Sequence, residues 1–366
     1  MKWLITLVLV VMAMTAAVSS VAAEKAVVWD KSTLVQVQPG GSYARMVRVA
    51  GGDILCGYEC AGKVCISRSA DEGKTWTEPA VVAIAPQGHV TNSELLELAN
   101  GHILYMYNER PNDGVHRFTI QVAVSKDNGR TWKHLSKVYE AGVEFHKGCW
   151  EPAAIQLPSG EVQIFFANEF PYKHTTEQEI SMCRSFDNGR TWTEAKPISF
   201  RANRRDGMPS PLFLKDGKSI VVAIEDNGYT LMFTPTIVRT SVEDNWKTCA
   251  TAASPNRWSA IKKPTNVEWG GAPYIRQMPG GETILSFQSS VGCDKPQMVV
   301  YVGDETARNF TGRSVPFVVP SDQGGWWNSL FVKNPTTITA ISSCNGGVWA
   351  IDGHIEYITP VSHSGK

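Results

Sequence analysis

The stretch SKDNGRTW, Ser125–Trp132, has near copies in SADEGKTW at Ser69–Trp76 and SFDNGRTW at Ser185–Trp192. A fourth, eroded copy, SVEDNWKT, begins at Ser241. One catalytic site has no use for repeated copies, whereas a repeated fold needs one turn in every repeat. Asp accepts backbone N–H bonds in a tight turn, Gly tolerates positive φ, and Trp supplies a large apolar ring for packing. The boxes carry too few carboxylates for a calcium loop. They read as structural turns.

Each interval between boxes repeats one pattern: an apolar run, a Gly-containing turn, a second run, and a third that leads into the box. ELLELANG, HILYMYNER, FTIQVAVS and TWKHLSKV illustrate it. Alternation bounded by Asn-Gly or Gly-Gly predicts antiparallel hairpins. A period built from four short strands predicts an all-β chain folded as a β-propeller. Inner strands starting near Ala44, Ser93, Pro152, Pro209, Ala272 and Asn328 make six blades. The last blade offers three strands of its own, SLFVKNPT, TITAISSC and VWAIDGHIEYI. The segment AVVWDKSTLVQV near the N-terminus is expected to supply the fourth and close the ring, leaving no open edge.

Composition bounds the partners. The 366 residues are 43% hydrophobic, and 35 basic residues balance 35 acidic ones. Such a chain has no polyanion-binding character, so nucleic acid is not an expected partner. MKWLITLVLVVMAMTAAVSSVAA reads as a signal peptide over 1–23, with 24–366 as a single propeller domain. The expected location is secreted or periplasmic, without a stable membrane anchor. Eight cysteines lack metal-site spacing. A local bridge among Cys56, Cys60 and Cys65 and buried thiols are both open readings. No metal or organic cofactor is expected.

In a four-stranded meander, inner-strand starts and second-strand ends share one end of the blade, and the boxes occupy the other. The first end is notably polar. Inner-strand starts bring Arg45, Asn92, Glu151 and Tyr274, with Trp326 and Trp327. Second-strand ends bring Glu59, Arg110, Glu169, Glu225, Asp226 and Gln288, and Arg205 precedes the fourth inner strand. Carboxylates, arginines and aromatic rings around one axis suit a saccharide. Glycoside hydrolysis requires two placed carboxyl groups. Glu151, beside Trp150, and Glu225, at the end of the apolar SIVVAIED run, are the candidates. An apolar neighbour such as Trp150 is expected to raise the acid's pKa.

WEPAAIQLPSGEVQIFFANE, GMPSPLFLKDGKSIVVAIEDN and GGAPYIRQMPGGETILSFQSS resemble segments of the glycoside hydrolase family 93 exo-arabinanases, within the sialidase-like propellers. The resemblance implies a six-bladed propeller that releases arabinobiose from linear α-1,5-L-arabinan with retention. It implies Glu151 as acid/base and Glu225 as nucleophile. Position then makes Arg45, Asn92, Arg110, Trp150, Glu169, Arg205, Asp226, Tyr274 and Gln288 substrate-binding candidates. SYARMVRVAGGDILCGYE resembles the segment that carries a sialidase arginine, which makes an exo-sialidase the alternative. In place of the usual Arg-Ile-Pro, however, it reads Arg45-Met46-Val47. A non-catalytic glycan-binding propeller is the reading outside enzymes.

Overall fold

The computed structural model describes residues 23–262, 269–291, 294–320 and 322–359. The first 22 residues, and with them nearly all of the expected signal peptide, lie outside the described residues, as does Cys293. The other seven cysteines are free thiols, including Cys56, Cys60 and Cys65.

Six antiparallel sheets form the ring. Blade I contains Ser42–Arg48, Ile54–Cys60, Lys63–Ser69 and Ala80–Ala83. Blade II contains His89–Glu97, Ile103–Arg110, Thr119–Ser125 and Lys133–Glu140. Blade III runs from Cys149–Gln156 through Val162–Asn168 and Glu179–Ser185 to Lys196–Ser199. Blade IV follows with Asp206–Phe213, Ser219–Asp226, Thr234–Ser241 and Arg257–Ser259. Blade V uses Gly270–Gln277, Thr283–Ser289, Gln297–Gly303 and Thr311–Ser314. Blade VI has Trp326–Val332, Ile338–Cys344 and the long Gly347–Ile358.

Ring closure uses the N-terminus in two pieces. Glu24–Trp29 pairs with the end of Gly347–Ile358, and Val35–Pro39 pairs with its start. A one-turn 3-10 helix, Lys31–Thr33, separates them, and Asp30 caps it by accepting from the Ser32 amide. Val27 is buried with Met298, Val300 and Ile351, so this borrowed strand joins blades V and VI. Lys25 reinforces the seam through Glu282 at 2.7 Å.

The boxes behave as the sequence suggests. Asp71 accepts from the Thr75 hydroxyl at 2.6 Å, the Thr75 amide at 2.9 Å and the Ser69 hydroxyl at 2.8 Å. Asp127 and Asp187 repeat the arrangement with Thr131 and Thr191. Chiefly through the Thr75 hydroxyl, the Asp71 carboxyl falls to about 2. Gly129, at φ +79°, lies so close to blade I that a Cβ there would stand 2.3 Å from Leu55. The box is thus a turn and an inter-blade contact at once. Blade V carries a fifth version that the sequence scan did not find, in which Asp304 accepts from Thr306 and Arg308 amides.

Every inner strand begins two to four residues before the expected start, and the reason is a bulge. The pairing register slips once in each inner strand, as between Ser42 and Arg45 or Trp150 and Ala153. The other four blades show the same slip. One residue inside each slip has positive φ: Tyr43, Asn92, Glu151, Met208, Ala272 and Trp327, at +48° to +60°. A bulge re-aims its residue away from the pleat. Here Tyr43, Asn92, Glu151 and Trp327 line the mouth of the ring, and Met208 and Ala272 pack beneath Tyr43.

Truncating the closing strand tests this architecture. Val27→Ala is expected to lower stability by about 2 kcal/mol, in line with the transfer cost of a buried valine. The half-buried neighbour Val28→Ala should cost clearly less, and chemical denaturation of both variants measures the difference.

Candidate active site

A cavity of about 530 Å³ opens at the mouth of the ring, at the end opposite the boxes. Its floor is Tyr43, whose ring packs on the bulge residues Met208 and Ala272 of blades IV and V. Because Tyr43 comes from blade I, it crosses the axis and closes the channel beneath the cavity.

The bulges place the two central carboxyls. Freed from the ladder, the amide of a bulge residue needs an acceptor. In five blades a side chain from the preceding blade supplies it. The Tyr43 amide donates to Ser343 at 3.0 Å, Asn92 to Glu59 at 3.4 Å and Trp327 to Gln288 at 3.3 Å. The Ala272 amide donates to Glu225 Oε2 at 2.8 Å, and Met208 to Glu151 Oε2 at 2.9 Å. Glu59, Glu225, Gln288 and Ser343 occupy the same place on their second strands, opposite the residue that opens the bulge. In blade III that place holds Ala167. Its methyl group cannot accept a hydrogen bond, and Glu151, itself a bulge residue, takes over the acceptor role. Glu151 and Glu225 consequently line the same cavity, each with one oxygen committed to an amide.

Burial raises both carboxyl pKa values, because charge loses solvation there. For Glu151 the Met208 amide and the Arg110 and Arg205 guanidiniums oppose the rise. Glu225 has less relief: burial, then the Glu151 charge, pushes it up to about 8, against the Ala272 amide and Arg205. Glu225 is therefore the more strongly raised by its neighbours, since the Arg110 and Arg205 guanidiniums both favour the charged form of Glu151.

The structure brings most of the remaining candidates to one wall. Glu169 accepts from Trp150 Nε1 at 3.1 Å and from Arg205, which also donates to Gln178. Arg110 stacks on Trp150, 4.7 Å from the ring centroid, and donates to Asn108 and Asn92. Asn92, Arg110, Trp150, Glu169 and Arg205 therefore form one surface along blades II to IV, joined by hydrogen bonds and by the Arg110–Trp150 stack.

Four candidates sit elsewhere. Arg45 lies under the floor, 3% exposed, between the rings of Tyr43 and Tyr274 at 4.2 and 4.7 Å. Tyr274 donates to Glu94 in that lower layer, and Glu94 pairs with Arg45 at 3.5 Å. Gln288 is fully buried and caps the Trp327 amide. Asp226 follows Glu225, but successive strand residues point to opposite faces. It is fully buried against Arg257 at 2.6 Å, in a network with Asp206 and Arg201. None of the four lines the cavity.

Seven lining residues escaped the sequence reading, among them Tyr43, Phe145 and Gln178. Tyr43 was detectable by aligning the inner strands on Glu151, since Tyr43 holds the equivalent position. Phe145 precedes the third inner strand within the one-turn helix Phe145–Lys147, and Gln178 precedes the third strand of its blade; neither belongs to the repeat.

Comparison with known proteins agrees with this architecture. A family model described as a BNR repeat-like domain matches residues 13–145. No curated protein matches. Among solved structures, the chain is similar to the family 93 α-L-arabinofuranosidase of Fusarium graminearum, in complex with arabinobiose. Their identity is 17% and the TM-score 0.69, over 90% of this chain and 98% of that one. It is similar also to Penicillium chrysogenum α-L-arabinanase complexed with arabinobiose, at 17% identity and TM-score 0.68, over 88% and 97% of the two chains. A Hadza microbial sialidase aligns at 12% identity and TM-score 0.62, over 87% of this chain and 66% of that one. These likenesses define the class by fold: a six-bladed propeller of the arabinanase and sialidase shape.

The raised pKa of Glu225 has a measurable consequence. Its ordinary value of 4.5 becomes about 8 in the folded protein. Between those values the folded chain keeps a proton that the unfolded chain has released, so this group makes stability fall as pH rises through that window. Glu225→Gln removes the effect and can still accept from the Ala272 amide. Thermal denaturation across pH is expected to show the variant more stable than the parent above pH about 8, with the gain vanishing below about 4.5.

Proposed function

We propose that this propeller is an exo-acting, retaining glycoside hydrolase that cleaves linear α-1,5-L-arabino-oligosaccharides, with Glu151 and Glu225 as its catalytic pair. The observation that carries the reading is the placement of two buried carboxyls in one closed-bottomed cavity, each with one oxygen committed to a backbone amide. Glycoside hydrolysis needs one carboxylic acid and one carboxylate, and unequal environments are what separate the two roles. The wall of Asn92, Arg110, Trp150, Glu169 and Arg205 offers donors, acceptors and a ring face to a sugar. The preference for arabinose rests on the WEP, IED and GGAPY segments and on the shared fold of the arabinobiose-bound neighbours.

In the first step the carboxylate of Glu225 bonds to the anomeric carbon while Glu151 gives its proton to the departing oxygen. Water then attacks the glycosyl–enzyme ester, Glu151 takes a proton from it, and Glu225 is released. Burial pushes Glu225 up to about 8, so this role order requires Glu225 to give up its proton, and Glu151 to hold one, as the sugar enters. Arg205 and Arg110 then face a less negative Glu151, and the Ala272 amide stabilises the Glu225 carboxylate.

The sialidase alternative is weaker on geometry. Three arginines must converge on one substrate carboxylate, yet Arg45 and Arg276 both stack on Tyr274 beneath the floor while Arg205 holds Glu169.

Release of arabinobiose from debranched arabinan, beside a fluorogenic sialoside, tests the activity. Glu151→Gln and Glu225→Gln are each expected to lower turnover of arabinan by about 10²–10⁴-fold while retaining ligand binding. On an aryl arabinobioside with a good leaving group, Glu151→Gln should recover the first step and Glu225→Gln should not. Recovery by Glu225→Gln alone reverses the two roles. Sugar binding by the parent without turnover of any glycoside identifies a binding propeller instead.

A further inference from the structure

We propose that a row of aromatic rings leading out of the cavity binds the leaving part of the saccharide, so that the site is built for extended chains. This inference rests on the glycosidase reading above and deepens it. The row starts at the floor. Tyr43 stands 6.0 Å from Trp327, Trp327 stands 6.2 Å from Trp326, and Trp326 stands 6.3 Å from Trp269, centroid to centroid. The planes turn by 34°, 41° and 58° along the way, so the rings form a curved surface rather than a stacked core. Trp327 is 37% exposed, and Trp326 and Trp269 are half-buried.

Two glycines hold the outer rings in place. A Cβ on Gly271 would fall 2.5 Å from the Trp269 ring and 2.9 Å from Glu225 Oε2. Gly271 is therefore the point where the Trp269 ring and the reacting carboxyl approach one another, and it has no room for a side chain. A Cβ on Gly324 would fall 2.3 Å from Trp326 Nε1, so this ring too lies against bare backbone. Rings fixed in this way lose little freedom when a ligand arrives.

The two sides of the mouth differ in chemistry. Blades II to IV present charged and hydrogen-bonded groups suited to the hydroxyls of an enclosed sugar. Blades V and VI, with Tyr43 of blade I, present ring faces suited to the C–H faces of successive sugar units, where apolar area is removed from water. Since Tyr43 closes the channel below, only a chain end can enter, and the remainder must leave across the rim. The aromatic row is continuous from Tyr43 at the floor through Trp327 and Trp326 to Trp269.

The test compares Trp326→Ala, Trp269→Ala and the ring-preserving Trp326→Phe with the parent on arabino-oligosaccharides of increasing length. The loss in kcat/KM is expected to grow with length. For a chain long enough to cross both rings it should be on the order of tenfold greater than for the shortest cleaved substrate. Trp326→Phe should restore most of the length dependence. Equal losses at all lengths, or no loss at any, overturn the proposal. Should the parent cleave no arabinoside, calorimetric titration of Glu151→Gln with other linear oligosaccharides separates the two ideas. Affinity that rises with length and falls in the Trp variants supports the track, and length-independent affinity overturns it.

Discussion

Six strands converge on one axis here, and each must abandon its ladder at the mouth of the ring. The bulge that lets it do so carries a residue at positive φ, a conformation that costs a non-glycine residue on the order of 1–3 kcal/mol. It also frees a backbone amide. In five blades that amide is satisfied across the blade boundary, by Ser343, Glu59, Glu151, Glu225 or Gln288. One local constraint thus ties neighbouring blades together and brings three of these acceptors, Glu59, Glu151 and Glu225, to the cavity.

The candidate chemistry follows from where this repeated device varies. A serine or a glutamine accepts the amide bond without bringing a charge, as Ser343 and Gln288 do. Glu225 accepts it and adds a carboxyl, and Ala167 leaves the neighbouring acceptor place to Glu151. Two carboxyls from adjacent blades then share a cavity whose arginines, Arg110 and Arg205, relieve Glu151 more than Glu225. The difference in their surroundings is a consequence of position. Glu59, in the equivalent place on blade I, caps Asn92 and also accepts from Ser42 at 3.0 Å, on the far side of the same cavity.

Much of this was legible in the residues. The boxes revealed the repeat because turn chemistry is local: Ser, Asp, Gly, Thr and Trp bond within eight residues. Blade count, ring closure and the end that bears the polar cluster followed from their spacing. The bulges were not legible, since positive φ at Tyr43, Met208 or Trp327 is imposed by convergence on the axis rather than by residue type. For that reason the inner strands begin earlier than their apolar patterns suggest. Arg45 and Tyr274 sit two residues beyond a bulge, one layer below the cavity, and Asp226 turns away from Glu225 because side chains alternate along a strand. Position at a strand end identified the face but not the depth.

The most direct measurement is a structure of Glu151→Gln bound to an arabino-oligosaccharide. The account predicts a chain end enclosed above Tyr43, its anomeric carbon between residue 151 and Glu225, and the following units lying on Trp327 and Trp326. A chain bound at the box face or between blades, with the axial cavity empty of sugar, would contradict it.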